Sequence, residues 1–399
     1  MGVLSGVRVL DFGRYIAGPY CAALLGDLGA DVIRIEKRDG SEDRYLLPLE
    51  TKPDGSDGDG GAMFQQMNRN KRSVTLDPMK PEGRAIAHKL VETADVVVAN
   101  LPADTLKAMG LDYPTLAAIN PRVILTTVSA FGSEGPYAER VGFDGIAQAM
   151  CGSVYLSGTP EQPVRSYAAW VDFGTASLSA FGTLAALMAR AQTGRGQIVE
   201  GALIKTALTF FNFHLIEQAV KKPDRVATLN RAQTSGPGDI FKAKDGWVQI
   251  TINGNPLFKR WARLMGEEHW LSDPRFATAQ TRGDNNALLS ERTQAWFATR
   301  TVSEALDALA KARIPAGPVL SPQQALDDPH VKAIGFLKPI AYPGLPFPAP
   351  VSETPVKLSE TPGVIAKRAP TLGEHTDEVL ASIGLTKKDI EAARAAGAV

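Results

Sequence analysis

The stretch VRVLDFGRYIAGPYCAALLGDLGADVIRIE, Val7–Glu36, places two strand-like runs around a helix-like one. VRVLDF (Val7 to Phe12) and DVIRIE (Asp31 to Glu36) are short and rich in aliphatic residues. GPYCAALLGDLGA (Gly18 to Ala30) spaces its apolar residues at helical intervals and has a glycine near its end. This is a βαβ unit, which makes the two strands parallel. The pattern recurs downstream: GRAIAHKLVETA is helical, DVVVAN (Asp95 to Asn100) a strand, TLKAMG a short helix and RVILTTVSAFG (Arg122 to Gly132) a strand. An α/β fold follows, with a doubly wound, Rossmann-like large domain.

The texture changes after Lys222. FKAKDGWVQITING reads as a strand pair, and PLFKRWARLMG, NALLSERTQAWFATR and VSEALDALAKAR as amphipathic helices. Residues 1–222 are therefore assigned to the large domain and 223–328 to a smaller α+β domain. From 329 to 399 a proline-rich run, LKPIAYPGLPFPAPVSETP, reads as an extended connector that returns the chain to the large domain, ending in a short strand and a helix. PDGSDGDGG (Pro53 to Gly61) reads as a mobile loop.

Composition narrows the partner. Lys plus Arg and Asp plus Glu are 43 each, so no net field favours nucleic acid or an anionic membrane. Cys21 and Cys151 are too few for a disulfide framework and lack metal-ligand spacing, and the five histidines form no spaced pair, so no metal is expected. The N-terminus has no basic segment followed by an apolar one, and no apolar run approaches the ~20 residues of a membrane span. A cytoplasmic protein with a small-molecule partner is expected.

Ligands of doubly wound sheets lie at the carboxyl ends of the strands, here the turn DFGRYIAGPYC. Gly13 and Gly18 are separated by four residues, so there is no G-x-G-x-x-G, and neither NAD nor flavin is expected. Glu36, at the end of the second strand, reads as solvated. In YAAWVDFGTASLSAFGTLAAL (Tyr167 to Leu187) a single charge, Asp172, stands among apolar and small residues. AAWV reads as a buried strand, and Phe173 to Leu187 as a closely packing helix lined by Gly174, Ala176, Ser177, Ala180, Gly182 and Ala185. Asp172 then lies at a strand-to-helix turn, where free backbone N–H groups and the helix dipole favour a carboxylate. A helix cap and a catalytic group both fit that pattern.

AGPYCAALLGDLGADVIRIEKRDGSEDR, NRNKRSVTLD, VVVANLPADTLKAMGLDYPTL, NPRVILTTVSAFGSEGPYAERVGFDGIAQAMCG, WVDFGTA, QTGRGQIVEGALIKTAL, IPAGPVLS and LGEHTDEVL together resemble, in order along nearly the whole chain, the class III coenzyme A transferases. This is the family of formyl-CoA transferase, carnitine CoA-transferase and the bile-acid-inducible CoA-transferase type. The resemblance implies an interlocked homodimer, acyl-CoA and a small carboxylic acid as substrates, and Asp172 as a nucleophile that becomes an aspartyl-CoA thioester. It assigns Tyr15, Ile16, Ala17, Arg38, Leu76, Asn100 and Lys107 to CoA, with Arg140 as a further candidate. Lys80 falls one residue from the matching position, which Met79 occupies. Asp144 is either a site acid or a loop cap. Ser235, Gly236 and Gly238, in TSGPGDIF, belong either to a glycine loop over the site or to a linker turn. Backbone N–H groups and glycine-rich loops are the expected oxyanion stabilisers. Ile16 and Phe143 replace polar groups of the formyl-CoA transferases, which argues against a formyl or oxalyl substrate. An acyl-CoA racemase of the same superfamily would need a histidine where Phe143 stands. A silent CoA-binding protein would have no reason to keep Asp172.

Overall fold

The computed structural model describes residues 2–50 and 58–399, so most of the acidic run Pro53 to Gly61 lies outside the described residues. Six strands, β1 (Arg8–Asp11), β2 (Asp31–Glu36), β3 (Lys71–Thr75), β4 (Val96–Ala99), β5 (Ile124–Ser129) and β6 (Ile198–Ala202), form one parallel sheet in the order β3-β2-β1-β4-β5-β6. The helices between them are α1 (Ala17–Asp27), α2 (Ala62–Met67), α3 (Pro81–Glu92), α4 (Ala103–Met109), α5 (Tyr113–Ile119), α6 (Asp144–Met150), α7 (Ser153–Leu156) and α8 (Trp170–Thr193), and α9 (Leu203–Lys221) follows β6.

Successive strand residues feed opposite faces. Val9, Val32, Val96 and Ile124 pack with α1 and α8 on one face. Leu10, Ile33, Val97 and Leu125 pack with α3, α4 and α5 on the other. Burial on both faces is why these strands read as continuous apolar runs rather than alternating ones. The turns after β1 and β4 flank the point where strand order reverses, the usual position of a crevice in such sheets.

The chain divides into two compact units. The first holds the chain up to Cys151, Ser166–Phe213 and Ile334–Val399; the second holds Gly152–Arg165 and His214–Ala333. In the second, β7 (Gly238–Lys242), β8 (Trp247–Thr251) and β9 (Ala316–Pro318) form an antiparallel sheet, with a core that includes Phe258, Trp261 and Phe297.

Three local expectations are corrected. Pro329–Ile334 is helical, and the proline-rich run folds back as β10 (Leu337–Ile340) paired antiparallel with β11 (Ala349–Ser352), so it is not a plain extended connector. The prolines are tolerated because this is an isolated pair, all edge. The C-terminal segment has no strand: it forms helices Thr376–Ser382 and Lys387–Ala395, the latter opened by a Thr386–Asp389 capping box. Their Val379, Leu380, Ile390 and Ala393 join the core on the α3 side of the parallel sheet.

The third correction concerns α8. AAWV is not a strand, and the helix starts at Trp170 and runs 24 residues. By length and composition it could cross a membrane, contrary to the expectation that no run would be long enough. It instead lies against the sheet, with Val171, Ala176 and Ala180 buried. Its glycines permit close approach. A Cβ on Gly174 would stand 2.6 Å from the Phe210 ring of α9, and one on Gly182 2.8 Å from Val199 of β6.

Candidate active site

Asn100 joins the two turns that flank the crevice. The Arg14 N–H donates to its Oδ1 (2.6 Å), and its Nδ2 donates to the Arg14 carbonyl (2.8 Å). The next residue, Tyr15, has φ +59°, a left-handed conformation that costs a non-glycine residue ~1–3 kcal/mol and persists only where the surroundings enforce it. Its ring meets Phe143 edge-on at 5.6 Å. Ile16 and Ala17 are buried. Ala17 packs in one cluster with Ala147 of α6 and Val171 of α8, so the start of α1 meets the starts of α6 and α8.

Beneath the turn lies a buried ionic network that sequence periodicity did not reveal. Lys71 Nζ donates to Asp11 Oδ2 (2.7 Å), Arg34 reaches the same oxygen at 3.4 Å, and the Gly13 N–H donates to Asp11 Oδ1 (2.8 Å). Burial alone would raise Asp11, but Lys71 and Arg34 outweigh it and hold the carboxyl below its ordinary value. Arg34 also grips Asp43 with both oxygens near 3 Å. Glu36 is not solvated, contrary to expectation. It is 1% exposed, and Arg44 binds both its oxygens at 2.8 and 2.7 Å. Burial acts to raise Glu36, but hydrogen bonds from Arg44 and the charge of Arg34 bring it to about 2. The signal for this network was present as charges inside otherwise apolar strands.

Asp172 occupies the first turn of α8, and the capping is done by another residue. Asp144, the first residue of α6, accepts from the Val171 N–H (2.8 Å) and the Asp172 N–H (3.0 Å) through Oδ2. Its Oδ1 accepts from Gln148 Nε2, and Gln148 Oε1 accepts from the Ser166 N–H at 2.9 Å. Asp144 is thus an N-cap supplied from a different segment, with both oxygens engaged as acceptors. The α8 N–H groups expected to be free are committed to it. The Asp172 carboxylate, by contrast, accepts no hydrogen bond among the described residues. Burial, then the nearby Asp144 charge, push it up to about 7. The helix dipole works the other way by only ~0.3–1 kcal/mol, under one pKa unit, so burial prevails.

Of the remaining expected residues, Arg38 and Lys80 come together beside Gly397, where an added Cβ would stand 3.2 Å from Arg38 Nη1 and 2.5 Å from Lys80 Nζ. Arg38, after β2, and Lys107, on α4, are exposed. Exposed Arg140 stacks over the Tyr137 ring at 4.0 Å. The Leu76 side chain is in the core and its N–H donates to the Glu36 carbonyl at 2.7 Å. Lys80 Nζ donates to the Ala396 carbonyl (2.9 Å). Ser235, Gly236 and Gly238 belong to the second unit. Ser235 is buried and donates to Asn253 Oδ1 (2.7 Å), and a Cβ on Gly236 would stand 2.8 Å from Asn286 Oδ1.

Residues 4–376 match the model of CoA-transferase family III. The chain belongs to that family. Family III relatives include succinyl-CoA–D-citramalate CoA-transferase of Chloroflexus aurantiacus, 33% identical over 97% of this chain and 96% of that protein. Succinate–glutarate CoA-transferase of Agrobacterium fabrum is 31% identical over 95% of each. Formyl-CoA:oxalate CoA-transferase of Rhodopseudomonas palustris is 33% identical over 95% of this chain and 93% of its own length. A crystal structure of a CAIB/BAIF family protein from Brucella suis superposes with TM-score 0.81 at 32% identity, covering 96% of this chain and 99% of that one. The protein is accordingly an enzyme of the CoA-transferase class, and the parallel sheet is the family III framework.

Proposed function

We propose that this CoA-transferase moves CoA from an acyl-CoA donor to a carboxylic acid acceptor through a thioester on Asp172. The observation that carries the reading is the contrast at the start of α8. Asp144 has its oxygens filled by Val171, Asp172 and Gln148, while the Asp172 carboxylate accepts no hydrogen bond among the described residues. A carboxylate not already engaged as an acceptor has lone pairs free for attack.

Asp172 Oδ attacks the acyl-CoA carbonyl carbon, and the C–S bond breaks to give a mixed anhydride and CoA thiolate. The thiolate attacks the aspartyl carbonyl, the anhydride C–O bond breaks, and the donor acid leaves as its carboxylate. The acceptor carboxylate then attacks the aspartyl-CoA thioester, releasing thiolate and forming a second anhydride. Thiolate attack on the acceptor's acyl carbonyl gives the new acyl-CoA and restores Asp172. No net proton is required. The α8 N–H groups are occupied by Asp144, so oxyanion stabilisation falls to other donors.

Tyr15, Ile16 and Ala17 in the turn after β1, and Asn100 after β4, are the residues proposed to meet CoA, with Arg38, Lys107 and Arg140 as phosphate partners. Succinyl-CoA is the first donor to test, because several relatives are named for it. A homodimer suits the exposed apolar side chains of α8 and α9, with Phe181 70%, Met188 73% and Phe213 66% exposed. Sedimentation at nanomolar concentration should show a dimer, and a folded, reversible monomer would contradict it. The chemistry is tested by incubating the protein with acyl-CoA and mapping a hydroxylamine-sensitive adduct by mass spectrometry. It is expected on Asp172 and absent in Asp172→Asn, and an adduct elsewhere would sink the mechanism.

A further inference from the structure

We infer that Lys71 is a positioning residue for CoA binding: with Asp11 and Arg34 it forms a buried clamp that holds the β1–α1 turn, and the left-handed Tyr15 within it, in the shape that receives the ligand. The inference rests on the reading of this turn as part of the CoA site.

Lys71 is fully buried at the start of β3, and its ammonium group has three donors. All are spent on the turn and its surroundings: Asp11 Oδ2 at 2.7 Å, the Pro19 carbonyl in the first turn of α1 at 2.8 Å, and Asn68 Oδ1 at 2.9 Å. Asp11 passes the constraint on by accepting from the Gly13 N–H, and Arg34 donates to the Gly13 carbonyl. Asn100 fixes both the N–H and the carbonyl of Arg14. Both backbone polar groups of the two residues before Tyr15 are therefore tied down, and Lys71 also ties the helix turn after it.

Stability is a weak reason for such a network. Buried ion pairs replaced by packed apolar residues commonly leave a protein equally or more stable. What charged hydrogen bonds supply, and aliphatic packing does not, is direction. The enforced left-handed Tyr15 lies where directional control is needed. Lys71 keeps its proton at neutral pH: burial pulls it down to about 8, against the pull of Asp11.

The test uses Lys71→Met in the full chain, with free CoA affinity read by calorimetry and turnover read at saturating acyl-CoA. The clamp predicts CoA binding weakened about tenfold or more with kcat within about threefold of wild type. It also predicts that Lys71→Met lowers the denaturant midpoint less in a Tyr15→Gly background, where the turn no longer needs forcing. Unchanged affinity in folded Lys71→Met, or equal midpoint losses in both backgrounds, would overturn it. Should Lys71→Met alone fail to fold, Tyr15→Gly must restore folded protein, and failure to do so counts against the clamp. Loss of transfer with CoA affinity intact, as expected for Asp172→Asn, concerns the chemistry alone. A wild-type protein that binds no CoA would overturn both readings.

Discussion

Asp11, buried, and Asp172, half-buried, are carboxylates of the same compact unit, and the structure treats them in opposite ways. Asp11 is saturated by Lys71, Arg34 and the Gly13 N–H, and its pKa falls. Asp172 is half-buried beside an acidic neighbour, with no donor among the described residues, and its pKa climbs to about 7. Burial penalises both charges, so what separates them is the supply of partners. A saturated carboxylate holds structure; an unsaturated one keeps free energy available for chemistry, and that combination is typical of functional sites.

The largest test of this contrast is Asp172→Asn, expected to reduce acyl transfer about 10⁴-fold or more while free CoA still binds in calorimetry. Near wild-type transfer by a CoA-binding variant would erase the distinction. Asp11→Asn should act on stability, removing one side of a buried ion cluster and destabilising by ~3–5 kcal/mol in urea unfolding. A loss below about 1 kcal/mol would mean that Asp11 is not what holds Lys71 and Arg34.

Asp172→Asn should also stabilise the protein, in a pH-dependent way. The native carboxyl holds its proton more tightly than the unfolded one, so its contribution is fully present below pH ~4 and lost as pH rises to about 7. Above pH 7 the variant should exceed wild type by ~1–3 kcal/mol, with ~4 as the ceiling set by the shift. Equal curves at pH 8 would show Asp172 to be comfortably solvated. In the same window, kcat/KM of wild type should rise about tenfold from pH 6 to a plateau near pH 8, as the carboxylate forms. The smallest effect sharpens the geometry: Gly174→Ala, pressing on Phe210, should lower stability by ~1–3 kcal/mol.

The βαβ order was legible because strands buried on both faces announce themselves as apolar runs. Asp172 was legible as a lone charge in a small-residue helix. The start of that helix was not: Trp170 and Val171 look strand-like, and the carboxylate that caps the Val171 and Asp172 N–H groups is 27 and 28 residues upstream. The Asp11 network escaped for a similar reason, since Asp11 pairs with Arg34 and Lys71, 23 and 60 residues away. Local propensity reports neighbours along the chain, and both features depend on neighbours in space. The proline-rich run misled in the opposite sense, because proline in an isolated two-stranded pair costs little.

The Asp144 cap has a consequence for how the protein varies. Between Cys151 and Ser166 the chain leaves the first unit for the second and then returns. Asp144 with Val171 and Asp172, and Gln148 with Ser166, fasten the two ends of this excursion together in the first unit. A segment closed off in this way can gain, lose or exchange residues at modest entropic expense, and the anchored ends do not feel its length. Changes of length within Gly152–Arg165 therefore leave the Asp144 cap in place, so a lineage could retool what lies beyond it while inheriting the proposed nucleophile in position.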